Sequence, residues 1–184
     1  MPRLADLRLA HPDLNLMIDP SANVVELSPG GIDVALRYGS GVWAGVTSEM
    51  LLKTPIVVVG APALLEGREI ASPDDLAAFP WLEELGTSEA TNWLKSQGAE
   101  HGFVKNRVQL PGNLVLDAAR SGQGLAVSNR KFVEPDVAAG RLEILFEDTD
   151  SDAGYHIVTR PGVLRPAARS FISWLRQAVK TDAA

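Results

Sequence analysis

The chain contains no cysteine. That excludes disulfides, zinc–cysteine sites and thiol nucleophiles, and it fits a reducing compartment. Long apolar runs are missing as well. The longest, near Pro55–Ala63, falls far short of the roughly 20 apolar residues that span a bilayer. The first residues, MPRLADLRLAHPDL, carry Asp6, His11 and Asp13 and no continuous apolar core, so they do not read as a signal peptide. These absences predict a cytoplasmic location. A basic surplus is also lacking: 17 Lys+Arg face 23 Asp+Glu, for a net charge of -6. A chain that grips nucleic acid with its own surface usually shows a basic face, and this balance gives that little support. There is no fixed-period repeat, no low-complexity tract, no Walker motif and no nucleophile elbow.

What is present suffices for a folded core. The 184 residues are 46% apolar, enough for one compact domain or two small lobes. Leu4, Leu7, Leu9 and Ala10 predict a short helix over residues 2–10, stopped by His11-Pro12-Asp13. Leu14, Leu16 and Ile18 alternate as in a strand. Asn23 is placed to cap a short helix ended by Pro29-Gly30-Gly31. Ile32–Leu36 and Ile56–Val59 read as buried strands. Ser72-Pro73-Asp74-Asp75 has the order of a helix start, with a capping serine, a first-position proline and acids in the first turn. Further helices are predicted over Glu89–Gln97, from Asn113 to about Gly122, over Arg130–Ala139 and over Ala167–Lys180. Strands are predicted at Val104–Leu110, Leu125–Val127, Leu142–Phe146 and Tyr155–Thr159. The alternation argues for an α/β fold with mostly parallel sheet.

Motifs for chemistry are scarce. In GGIDVALRYGSG a strand runs into Gly39-Ser40-Gly41, but VWAG follows, without the spacing or helix of a dinucleotide loop. His11, His101 and His156 are scattered with no partner at ligand spacing, so they read as solvated or locally hydrogen-bonded residues. Asp74-Asp75 is explained by capping, and Glu83-Glu84 and Glu147–Asp152 by solvated charge. Trp93 and Trp174 sit at helical spacing and are assigned to the core. Trp43, in a glycine-rich loop, is the tryptophan to question. A helix beginning at Asn113 offers backbone N–H groups and a dipole that favour an anion, although on this feature alone an ordinary capped helix after a turn is the better explanation. No metal, cofactor or enzymatic nucleophile is expected.

The segments PRLADLRLAHPDLNLMID, GIDVALRYGSGVWAG, LDAARSGQGLAV, AAGRLEILF and GYHIVTRPG, with the closing FISWLRQAV, lie in order over nearly the whole chain. In that register they resemble the effector-binding domain of LysR-type transcriptional regulators. IDVALRYGSGVW is most similar to the subgroup of the glycine-cleavage and β-lactamase activators. The resemblance implies an α/β, type 2 periplasmic-binding-protein-like fold of two lobes with a hinge. Lobe one would hold residues 1–58 and 154–184, and lobe two residues 59–153. It implies a small polar or anionic effector in the cleft between lobes. Ser21, Tyr38, Gly39, Trp43 and Tyr155 would contact it from one lobe, and Gly112 and Asn113 from the other.

Two departures stand out. Family members often place Ser, Thr or Asp before the helix matched at Asn113, where this chain has Leu110-Pro111-Gly112. The chain also begins after the family's helix-turn-helix and first effector-domain strand, so DNA contact is expected only through that separate segment. Without the strand, Leu14–Ile18 and Ile32–Leu36 are expected to expose unpaired edges. A homodimer is the expected assembly. A solute-binding protein for transport, on the same fold, is the alternative reading.

Overall fold

The computed structural model describes residues 3–21, 23–98, 106–149 and 152–182. In chain order the elements are α1 (Leu4–Ala10), β1 (Val34–Gly39), β2 (Thr47–Lys53), β3 (Ile56–Gly60), α2 (Pro62–Leu65), a 3-10 helix (Pro73–Ala78), β4 (Trp81–Glu84), α3 (Glu89–Ser96), β5 (Arg107–Leu110), α4 (Gly112–Arg120), β6 (Leu125–Asn129), α5 (Arg130–Ala138), β7 (Glu143–Glu147), β8 (Gly154–Thr159) and α6 (Pro166–Asp182). They fall into two compact units, Met1–Thr54 with Asp152–Ala184, and Pro55–Ser151.

The first unit is built on a sheet of order β1-β8-β2, with both pairings antiparallel. α6 turns Ala168, Ile172 and Ala178 inward, as the spacing of its apolar residues demands. Arg3 ties α1 to α6 by donating to the Ala178 carbonyl at 2.8 Å. Two forked ion pairs fasten α6 and the loop before it: Arg165 to Asp33, and Arg176 to Glu49. Residues 12–33 differ from expectation. Leu14–Ile18 forms no strand, and no helix follows Asn23. Alternating side chains make a strand only where a neighbour supplies the ladder. β1 is an edge strand of its sheet, as expected. Met17 (84%), Val24 (73%) and Leu36 (46%) are left exposed in this region.

The second unit carries a five-stranded sheet of order β5-β4-β6-β3-β7. β4 runs parallel to β5 and β6, while β3 pairs antiparallel with β6 and β7. Pairing is thus mixed, where a mostly parallel sheet was predicted. Period-two alternation sorts the side chains into two cores. Val58, Trp81 and Leu125 face Phe79, Trp93 and Leu94 on one side. Val57, Val59, Leu82 and Ala126 face Val115, Ala119 and Val133 on the other. A sheet covered on both faces explains why Ile56–Val59 is a continuous apolar run. Ser72 forms the expected capping box with Asp75, whose carboxylate accepts from the Ser72 backbone at 2.8 Å. Those bonds hold the Asp75 carboxyl below its ordinary pKa.

Glu83 is a correction. It was expected in solvent, yet it is 2% exposed. Its carboxylate accepts from Arg107 at 2.9 Å and from the Thr91 hydroxyl at 2.9 Å, which compensates the burial. Val104 and His101, named from the sequence, lie outside the described residues.

Candidate functional site

β1 and β8 run antiparallel with Tyr38 opposite Tyr155. The register brings the two rings edge to face, with centroids 5.4 Å apart. The Tyr38 hydroxyl donates to the Thr54 carbonyl at 3.1 Å, which fixes the ring.

One residue earlier in β1, Arg37 stands opposite His156. Alternation places this pair on the other face of the sheet from the tyrosines. The chain then turns through Gly39 (φ +150), Gly41 (φ +87) and Gly45 (φ +74) and lays Trp43 back over the strand ends. The indole meets His156 edge to face at 5.3 Å, and the Arg37 guanidinium lies 5.8 Å from its ring centre. A Cβ on Gly39 would fall 3.2 Å from Trp43 Cζ2, and one on Gly41 would run into His156 Nε2. His156 is 4% exposed, and its Nδ1 lies 3.0 Å from the Gly154 carbonyl. The glycine-rich turn therefore closes over an aromatic cluster.

Sequence reading named Tyr38, Gly39, Trp43 and Tyr155, and the structure joins them in two pairs: Tyr38 with Tyr155, and Gly39 with Trp43. It missed Arg37 and His156. The available signal was alternation: residues 37 and 38 are adjacent in a strand and must face opposite ways. Ser21 stands apart and exposed, its hydroxyl accepting from the Asn23 backbone at 3.1 Å.

In the second unit, Gly112 and Asn113 open α4 directly after Pro111, with no side-chain cap. Asn113 is exposed. The Glu84 carboxylate, from the end of β4, stands against Gly112 where a Cβ would sit, and a side chain there would push that carboxylate aside. This places a negative charge at the positive end of the helix dipole. Glu89, at the start of α3, has its carboxyl pKa raised, first by burial and then by the charge of Glu84. The start of α4 is thus acidic, and a second anion there would meet Glu84.

Among the described residues, no His, Cys, Asp and Glu are grouped to hold a metal ion. Among the described residues, too, no helix is long and apolar enough to cross a membrane.

A family model described as the LysR substrate binding domain matches residues 1–180. The chain is 40% identical over 177 residues to the AhcY transcriptional activator HvrB of Rhodobacter capsulatus, covering 96% of this chain and 60% of that protein. It is 31% identical over 178 residues to the HTH-type transcriptional activator AmpR of the same species, covering 95% and 60%. The chain thus spans about three-fifths of the length of these curated relatives. Among solved structures, the effector domain of AmpR of Pseudomonas aeruginosa superposes with a TM-score of 0.77 at 25% identity, covering 99% of this chain and 89% of that one. The fold is accordingly type 2 periplasmic-binding-protein-like, and these relatives give the transport alternative no support. With the model matched from residue 1 to residue 180, the chain belongs to the LysR substrate-binding domain family.

Proposed function

We propose that this chain is the sensing part of a transcription regulator. It binds a small polar effector, and occupancy controls a DNA-binding segment carried elsewhere in the full-length protein. The family match over residues 1–180 carries the reading. The two lobes correspond to the two compact units, Met1–Thr54 with Asp152–Ala184 and Pro55–Ser151, rather than dividing at 58/59 and 153/154. The contacts proposed for the effector are Tyr38 and Tyr155; Gly39 and Trp43 pack on the opposite face of that sheet and shape the turn that ends β1, and Ser21, Gly112 and Asn113 are the remaining expected contacts. The paired tyrosines offer an aromatic edge and hydroxyls, which suit a small polar molecule. The carboxylate of Glu84 beside Gly112 favours an uncharged or cationic ligand group at the start of α4. The protein acts in the cytoplasm as a homodimer and uses no cofactor.

The test is a thermal-shift screen of amino acids, small acids and peptidoglycan fragments. A ligand at 100 times its Kd stabilises the folded state by about 2.7 kcal/mol. The expected result is a saturable rise in Tm that Tyr38→Ala abolishes and Thr181→Ala, on the exposed end of α6, preserves. A full shift retained in Tyr38→Ala overturns the pocket assignment. Light scattering across concentrations checks the dimer, and a strictly monomeric chain refutes it.

A further inference from the structure

A cavity lies within the first unit, on the face of its sheet covered by α6. Its volume is about 360 Å³, within the range of small-molecule sites. Thr47 of β2 and Thr159 of β8 are directly opposed in register and line it together, as do their neighbours Glu49 and Ile157. α6 supplies Arg169, Ile172 and Arg176, which share one helix face at spacings of three and four. Arg160, the first residue after β8, lines the cavity as well.

The charges there are unbalanced. Three arginines and one glutamate line the cavity, a local excess of two positive charges in a chain of net charge -6. Glu49 is already spent on Arg176, in a fork of 2.8 and 2.5 Å. Arg169 donates one of its N–H groups to the Leu164 carbonyl at 2.7 Å and keeps the rest. Arg160 is half-buried and has no hydrogen-bond or ion-pair partner among the described residues. Thr159 is 7% exposed, and its hydroxyl likewise makes no hydrogen bond to a described residue. The floor is apolar: Ile157 is 3% exposed and Ile172 5%.

We infer that this cavity binds a small organic anion, a carboxylate or phosphate on a compact apolar body. Arg160 and Arg169 take the anionic head, since a guanidinium fork matches two such oxygens at once. The Thr47 and Thr159 hydroxyls donate to the same head. Ile157 and Ile172 receive the apolar body. The fork to Glu49 holds Arg176 as a fixed wall. Along β8, Thr159 is four residues from Tyr155, about 13 Å at strand rise, so this site is separate from the tyrosine pair.

The test uses the 184-residue chain and amide NMR titration. The probes are 3-methylbutanoate, isobutyl phosphate and the neutral 3-methylbutanamide. The expected result is saturable shifts at Thr47, Thr159 and Arg160 with either anion and none with the amide. The tighter of the two anions identifies the head group. Arg160→Gln should weaken binding about tenfold, equivalent to ~1.4 kcal/mol, and Arg160→Lys should recover part of that loss. Unchanged thermal melting in both variants separates lost binding from lost folding. Equal shifts with the amide, affinity unaltered by Arg160→Gln, or no saturation by about 10 mM, where binding falls below ~3 kcal/mol, would each overturn the assignment.

Discussion

Asp136 tests how a buried charge is held in the second unit. It is 3% exposed, near the end of α5, where a carboxylate opposes the helix dipole. Its Oδ2 accepts from Arg120 at 2.8 Å and its Oδ1 from Arg141 at 2.7 Å. In Asp136→Asn one oxygen remains to accept, while the new NH2 faces an arginine donor. Hydrogen bonds to charged groups contribute ~1.5–3 kcal/mol each. Breaking a buried pair can cost ~3–5 kcal/mol when the remaining charge is trapped. Here the trapped charge is the one removed, and the arginine side chains, 32% and 55% exposed, can turn to water. The loss is therefore set at about 2 kcal/mol. For a chain of this size that is ~4–8 °C in Tm.

The pH dependence gives the sharper reading. The hydrogen bond from Arg120, more than any other influence, holds the Asp136 carboxyl below its ordinary pKa. A depressed folded-state pKa contributes stability that is fully present above the unfolded value of ~3.9. That contribution is lost as pH falls through the lower folded value. The stability gap between wild type and Asp136→Asn should therefore hold from pH 7 down to about 5 and narrow below pH 4. Urea melts followed by amide exchange in β6 and α5 measure it. A gap that stays constant to pH 3, or widens in acid, refutes the reasoning.

Two further substitutions separate local backbone demands from packing. Gly41→Ala places a side chain at φ +87 and into the His156 ring, so it should destabilise the first unit by about 1–3 kcal/mol and displace Trp43, seen as a change in tryptophan fluorescence. Ser72→Ala removes half of the capping box, and a loss of about 1 kcal/mol is expected in urea unfolding, with none expected from Thr181→Ala.

Elements dictated by neighbours in sequence were legible from it. Ser72 and Asp75 cap a helix because both partners lie within one turn. Phe171, Trp174, Leu175 and Ala178 mark α6 because one face of a long helix must be apolar. β2 was not legible. TSEMLLK mixes charge with apolar residues, and a register shift between Met50 and Leu52 breaks its alternation. β4 was hidden because Glu83 reads as solvent-facing until Arg107, on the neighbouring strand, arrives beside it. Leu14–Ile18 erred the other way, with a strand pattern and no ladder to join.

The site divides along the same line. Glycines 39 and 41 after an apolar strand showed in the sequence that the chain turns sharply there, and the missing helix excluded a dinucleotide loop. The ordered resemblance of its segments carried the family. Only the tertiary structure could put Tyr38 against Tyr155, Trp43 over Arg37 and His156, and Glu84 against Gly112. It alone brought Thr47 and Glu49 of β2 to the same cavity as Thr159, Arg160 and the arginines of α6. Local sequence governs turns and caps, because their partners are few residues away. Strand pairing, and the charges it gathers, depend on contacts between segments far apart in the chain.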